Sequence, residues 1–228
     1  VRYSEEYFGR RRLRNRRNPL SEVEVPKRKY NTDILSHYQM GLNSANVYMQ
    51  YISYYHVLEH FFSEVFNDEI TELVRSEITS PKFSVRRNAD ISKLVKMVRK
   101  KVDVDDELIV SRSEEEALKL TLRRYLDMSK VRDALNCIDS TLIDYYKTNK
   151  VDFSNGNQVN LLLSDDQIYG SLTKRIYNTR NALVHSKAEE TNKYIPFKHE
   201  NKLLKEIPLM QIIAEEIIIS SSVVLNRS

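Results

Sequence analysis

The sequence predicts an all-α protein, organised as a bundle of about five or six helices. The chain has 228 residues but only 4 Gly and 5 Pro, so residues that break helices are rare. Apolar side chains recur every three or four residues over several long stretches, which is the spacing of an amphipathic helix. Hydrophobic residues make up 41% and charged residues 30%, a balance typical of a soluble domain with one sizeable core.

Residues 1–30 are predicted to form a basic extension or linker, or the end of an upstream domain. They are polar, contain Pro19 and Pro26, and include the run GRRRLRNRR with its 6 arginines. Such a run either contacts nucleic acid phosphates or forms a solvated tail or a linker helix, and the sequence favours none of these. Because the chain begins with Val1 rather than Met, we expect a fragment or a trimmed product. An upstream sensor domain or a regulatory partner is among the expected partners.

The helical domain is predicted to span residues 31–228. Its first helix is expected to run to about residue 67, since apolar and aromatic residues keep one helical period from residue 31 onward. A short helix over residues 68–79 and another over residues 90–101 are expected next, with Pro81 between them.

Two capping boxes predict where later helices begin. Ser113 with Glu116 three residues later predicts a helix to about residue 128, and apolar spacing predicts another over residues 131–145. The spacing is equally compatible with two helices and with one continuous helix, so both arrangements stay open.

The second capping box lies in SDDQ, where Ser164 is followed by Gln167. It predicts a helix from Asp165 to about residue 185. Pro208 suits the first turn of a last helix, which is expected to end near residue 225.

A histidine pair in the first predicted helix raises the question of a metal site. In HVLEH, His56 and His60 lie four residues apart with Glu59 beside them, the HxxEH pattern of inverted zinc peptidases. A catalytic zinc needs a third protein ligand, and the suitable downstream glutamates, residues 114–116, belong to a predicted capping turn. A zinc hydrolase is therefore a distant alternative, and we expect no metal and no cofactor.

The single cysteine, Cys137, excludes an internal disulfide and a cysteine-based zinc site, and it fits a reducing compartment. The chain has no long uncharged apolar run, and its first residues do not form a signal peptide. We therefore expect a cytoplasmic protein without a membrane segment. The net charge of +4 permits an anionic partner but does not demand one.

The segment YNTRNALVHSK places Arg180 directly before Asn181 and five residues before His185, near the end of a capped helix. This resembles the signature of the HEPN superfamily, an Arg often followed by Asn, Asp or His, with a His four to six residues beyond the Arg. The chain looks most like the ApeA-like HEPN ribonuclease domains of bacterial antiviral defence and toxin systems, including abortive infection. The aromatic segment QYISYYHVLEHFF on the first helix adds to the resemblance.

The resemblance implies a metal-independent endoribonuclease in which a 2′-hydroxyl attacks the adjacent phosphate and leaves a 2′,3′-cyclic phosphate. His185 suits the proton transfers and Arg180 suits the charge on the phosphorane. Asn181 is expected to orient the phosphate or the imidazole. By resemblance, Glu59 and Tyr55 support the site from the first helix.

Helical geometry adds a further expectation. Five residues on a helix span about 140° and about 7.5 Å, so Arg180 and His185 do not share one face of a regular helix. HEPN ribonucleases are generally homodimers that share a groove, so we expect a two-fold homodimer with RNA as its substrate. Lys174, Arg175 and Lys187 are expected to line that groove.

Two alternatives stay open for the same residues. The chain can be a catalytically inactive HEPN-like module that dimerises and binds RNA or a partner protein. Without the resemblance, Arg180 and His185 can also be explained as residues that stabilise the C-terminal end of a helix.

Overall fold

The computed structural model describes residues 28–102, 107–184 and 193–225, and these are mostly helical. The predicted all-α class is confirmed. In chain order the helices are α1 (Thr32–Asn43), α2 (Val47–Glu59), α3 (Phe62–Ile78), α4 (Asn88–Val102), α5 (Glu107–Tyr125), α6 (Met128–Ile138), α7 (Leu142–Thr148), α8 (Asp165–Val184), α9 (Glu200–Leu204) and α10 (Ile207–Ser220). They belong to one compact unit, Tyr30–Ser222.

A second, smaller unit contains two short strands, β1 (Arg28–Lys29) and β2 (Val223–Val224). The strands are antiparallel, with Arg28 opposite Val224 and Lys29 opposite Val223. The last helix was expected to reach residue 225, but α10 ends at Ser220. The β-branched pair Val223–Val224 is extended instead, in keeping with the strand preference of valine. The arginine run at residues 10–17 lies outside the described residues.

The predicted long first helix is wrong in its continuity, because the structure divides it into α1, α2 and α3. Asn46 ends the first break: its side chain accepts hydrogen bonds from the backbone N–H groups of Tyr48 (2.9 Å) and Met49 (3.3 Å), as an N-cap residue does. At the second break, His60 and Phe61 leave the helical pattern, and the Phe61 N–H bonds to the Leu58 carbonyl at 3.2 Å. Apolar spacing continues through both breaks, so the periodicity alone concealed them.

In the middle of the chain, aspartate side chains at the helix starts divide the helices from one another. Asp127 accepts a hydrogen bond from the Ser129 N–H at 2.9 Å and starts α6. Asp139 does the same for the Thr141 N–H, also at 2.9 Å, ahead of α7. The predicted helix over residues 131–145 is therefore two helices. The predicted start at Ser113 is also wrong, because α5 already begins at Glu107 and Ser113 lies inside it.

The starts of α8 and α10 agree with the prediction. α8 begins at Asp165, directly after the SDDQ serine, and Pro208 lies in the first turn of α10. α2, α8 and α10 supply most of the core, and α2 packs against α1, α8 and α10. Tyr51 joins two of these helices, since its buried hydroxyl donates to the Ile176 carbonyl at 3.2 Å. The core thereby holds the second half of α8 against α2.

Candidate functional site

The candidate site forms where α8 meets α2 and α5, around the side chain of Arg180. The Arg180 Nη2 atom lies 3.5 Å from Glu59 Oε1 on α2, and Nη1 lies 3.7 Å from Glu114 Oε2 on α5. The guanidinium carbon lies 5.3 Å from the centre of the Tyr55 ring, within the range of a cation–π contact. Nη1 also donates to Asn181 Oδ1 at 3.2 Å. The structure thus brings together Arg180, Asn181, Glu59 and Tyr55.

The contacts of Arg180 are long for an arginine that is committed to an ion pair. Strong charge-assisted hydrogen bonds between guanidinium and carboxylate groups measure about 2.7–2.9 Å. Those of Arg180 to Glu59 and Glu114 are 3.5 and 3.7 Å, and its side chain stays 17% exposed. The guanidinium therefore keeps N–H groups that can bind an anion arriving from solvent.

Glu59 is held in place by the histidine one helical turn before it. His56 Nδ1 and Glu59 Oε2 lie 2.8 Å apart, so the other carboxylate oxygen of Glu59 faces Arg180. His60, at the end of α2, places Nε2 3.1 Å from the Asn31 side-chain nitrogen. Within residues 28–102, 107–184 and 193–225, no group of three or more His, Cys, Asp or Glu residues is arranged to hold a metal ion. The described contacts of HVLEH therefore serve Glu59 and the helix end.

Tyr55 contributes a buried ring and a buried hydroxyl to the site. The residue is 1% exposed, and among the described residues its hydroxyl has no hydrogen-bond partner. Burial raises the pKa of the Tyr55 hydroxyl above its usual value, an effect that nearby Arg180 opposes, so the phenol stays neutral. A buried polar atom without a partner is uncommon in a folded protein, and the ring that carries this one lies 5.3 Å from the Arg180 guanidinium carbon.

Arg175, which was predicted to contact RNA, is instead part of the core. Its side chain is 1% exposed, and it donates to both carboxylate oxygens of Glu206 at 2.7 and 2.8 Å. Its Nη1 atom donates to the carbonyl groups of Asn149 and Asn157, both at 2.7 Å. The guanidinium carbon also lies 5.1 Å from the ring centre of Tyr146. This prediction is wrong because the charge is already satisfied by buried protein groups.

Of the other predicted RNA-binding residues, Lys174 lies within the described residues and Lys187 does not. Lys174 is exposed on α8 and lines a shallow groove with residues that include Glu115, Glu116 and Lys119 on α5. His185 and Lys187 lie outside the described residues, since the described part of α8 ends at Val184. Their predicted roles therefore remain predictions.

Glu114 is the residue of the site that the sequence interpretation missed. Its run of three glutamates was interpreted as the first turn of a helix, where acidic side chains favour the N-terminal end. Because α5 starts at Glu107, Glu114 lies two turns into the helix and faces Arg180. The signal available in advance was only the number of acidic residues, which does not identify the one that faces α8.

No protein-family model matches the chain, and no curated protein or solved structure is significantly similar to it. No helix in the described ranges combines the length and hydrophobicity that a membrane span requires. The candidate site is thus defined by the geometry around Arg180.

Proposed function

We propose that this chain is a metal-independent endoribonuclease of the HEPN class, acting in the cytoplasm in bacterial antiviral defence or as a toxin. The observation that carries the proposal is how the Arg180 side chain is positioned and exposed. It is positioned by Glu59 and Tyr55 but bound tightly by neither, and it is partly open to solvent. An arginine held in this way can stabilise the charge of a phosphorane at the moment it forms.

The proposed reaction is a transesterification within one RNA strand. The 2′-oxygen forms a bond to the adjacent phosphorus while the bond from phosphorus to the 5′-oxygen breaks, which leaves a 2′,3′-cyclic phosphate and a 5′-hydroxyl. One proton leaves the 2′-hydroxyl and one reaches the departing 5′-oxygen. His185 is assigned to these transfers, and Arg180 with Asn181 to the phosphate oxygens.

A two-fold homodimer forms part of the proposal. Each chain supplies a single imidazole at this position, that of His185, whereas the reaction benefits from both a general base and a general acid. Two protomers that pair through this region bring two arginines and two histidines to one RNA groove. Light scattering during gel filtration is expected to give twice the mass of the chain, and a strict monomer with full activity would contradict this part.

The experiment that tests the activity uses total RNA and the full chain in EDTA, followed by mapping of the new ends. We expect cleavage with 2′,3′-cyclic phosphate and 5′-hydroxyl ends, and none with His185→Ala. Cleavage that depends on added metal, or no cleavage by the purified dimer, would contradict the proposal.

A second candidate is a catalytically silent helical module that binds RNA or a protein partner. One observation favours it: Arg180 lies between two carboxylates, Glu59 and Glu114, so the immediate site has more negative than positive charge. An arrangement of this kind repels a phosphate and suits an arginine that only connects helices. The two candidate functions differ in the expected effect of the Glu114 charge on RNA binding.

Replacing Glu114 with glutamine is expected to raise the affinity for RNA by a few-fold at low salt, because a negative charge beside Arg180 is removed. The measurement is RNA binding by fluorescence anisotropy in a His185→Ala background, across a range of salt concentrations. Glu72→Gln makes the same change in net charge on α3, where Glu72 pairs with Arg75, and serves as the control. Equal affinities in the two variants would favour the silent module.

A further inference from the structure

The strongest concentration of positive charge in the described part of the chain lies on and just before α4. Residues 82–102 contain eight Lys or Arg residues and a single acidic residue, Asp90, for a local charge of +7 against +4 for the whole chain. The eight are Lys82, Arg86, Arg87, Lys93, Lys96, Arg99, Lys100 and Lys101. The site around Arg180 involves none of them.

The way α4 packs leaves most of this charge in solvent. α4 packs chiefly against α3, and residues 88–101 are all at least partly exposed. Two lysines at its edges pair with α3: Lys93 Nζ lies 2.8 Å from Glu77, and Lys101 Nζ lies 3.0 Å from Glu69. These two ion pairs hold α4 against α3 and neutralise only part of the positive charge of α4.

The outward face of α4 presents three cations, Lys96, Arg99 and Lys100, for which the described residues offer no carboxylate partner. Lys96 and Lys100 are one helical turn apart and share a face, and Arg99 adjoins them. Within the described ranges, none of these three forms an ion pair. Lys96 and Lys100 line a shallow groove with Lys93, and the rest of its lining is Met97 and the small residues Ala89 and Ser92. Small side chains between lysines leave room for an extended anionic chain to approach the helix.

We infer that this face of α4 binds the phosphate backbone of an RNA strand, at a second site apart from Arg180. The choice of RNA as the anion rests on the proposed function, while the cationic face stands on the structure alone. Ammonium groups one turn apart can contact successive phosphates without reading the bases, so the binding is independent of sequence and sensitive to salt. The second site would hold a long substrate while Arg180 engages the phosphate that is cut.

An anionic membrane surface is the other polyanion that attracts lysines, and the composition of α4 argues against it. Helices that lie in the membrane interface insert bulky apolar or aromatic residues beside their basic face. α4 has no aromatic residue, and beside the lysines its groove is lined with Ala89, Ser92 and Met97. The exposed large apolar residues of α4 are Ile91 and Val95, which offer little apolar area for insertion, so RNA fits this face better than lipid.

The test is the salt dependence of RNA binding by the full chain in EDTA, with His185→Ala present to prevent cleavage. The probe is a fluorescent single-stranded uridine RNA of about 30 nucleotides, a length chosen to exceed one helix face. Adding Lys96→Ala and Lys100→Ala together is expected to lower the slope of log affinity against log salt by about 1.4, since each lost phosphate contact removes about 0.7. The affinity near physiological salt should fall on the order of tenfold or more.

The control is Lys147→Ala with Lys150→Ala, which removes the same charge from two other exposed lysines. Equal slopes for the two double variants would overturn the inference, and so would an intact chain that binds no RNA. Binding of the intact chain to phosphatidylserine vesicles but not to RNA would overturn it in favour of a membrane. A lowered slope in a protein that never cleaves RNA would support the α4 site while contradicting the proposed nuclease.

Discussion

Replacing Arg180 with alanine is expected to lower the rate of RNA cleavage by about 10²–10³-fold, the effect of removing one group that stabilises an oxyanionic transition state. The side chain is partly exposed and its ion pairs are long, so its loss should leave the fold nearly unchanged. Single-turnover cleavage of a defined RNA gives the rate, and circular dichroism during heating shows whether the protein stays folded.

Two further variants make the result specific to Arg180. Arg180→Lys keeps the charge but loses the planar, two-pronged geometry, so we expect it to recover only a small part of the rate. Arg123→Ala removes a similar guanidinium from the end of α5, where it pairs with Asp166, and should keep full activity. Full activity in Arg180→Ala would exclude the assigned role, whereas equal losses in both alanine variants would indicate a general effect of charge.

Replacing Arg175 with alanine is expected to lower the free energy of unfolding by about 3–5 kcal/mol, because Glu206 would stay buried without its partner. The side chains of Arg175 and Glu206 are only 1% and 4% exposed. The substitution would also leave the carbonyl groups of Asn149 and Asn157 without the hydrogen bonds that Arg175 donates. Urea titration followed by circular dichroism measures the change. A loss below about 1 kcal/mol would show that water replaces the guanidinium at low cost.

A double variant separates the cost of an unpaired charge from the value of the pair. Arg175→Met with Glu206→Leu removes both charges and fills the space, and we expect it to be more stable than either single variant. Arg124→Ala serves as a surface control, because its pairs with Asp68 and Glu64 are exposed and such pairs contribute at most about 1 kcal/mol. A double variant as unstable as Arg175→Ala would mean that the two buried charges stabilise the fold outright.

The all-α class and several helix starts could be predicted, since they depend on local signals. The SDDQ serine directly precedes α8, and Pro208 lies in the first turn of α10. The divisions between α1, α2 and α3 escaped prediction because Asn46 and His60 interrupt the backbone without interrupting the apolar spacing. Boundaries that depend on one capping side chain are hidden when the hydrophobic pattern runs across them.

At the candidate site, the proximity of Glu59 and Tyr55 to Arg180 was expected from the family resemblance, and their roles remain to be tested. Arg175 was misjudged because a sequence does not show that a charged residue will meet a buried carboxylate 31 residues later. Glu114 was misjudged for a related reason: its partner lies on another helix. Both errors concern tertiary pairing, for which the sequence carries little local signal.

The contrast between the two arginines of α8 determines which side of the site is free to adjust. Four hydrogen bonds from Arg175, each 2.7–2.8 Å, fix the angle of α8 about its own axis relative to Glu206 and the chain around Asn149 and Asn157. Turning α8 by one residue, about 100°, would break all of them. A change in the gap around Arg180 therefore requires least work when α5 shifts, because Tyr51 and the core hold α2 against α8, so the Glu114 carboxylate moves and the cation stays.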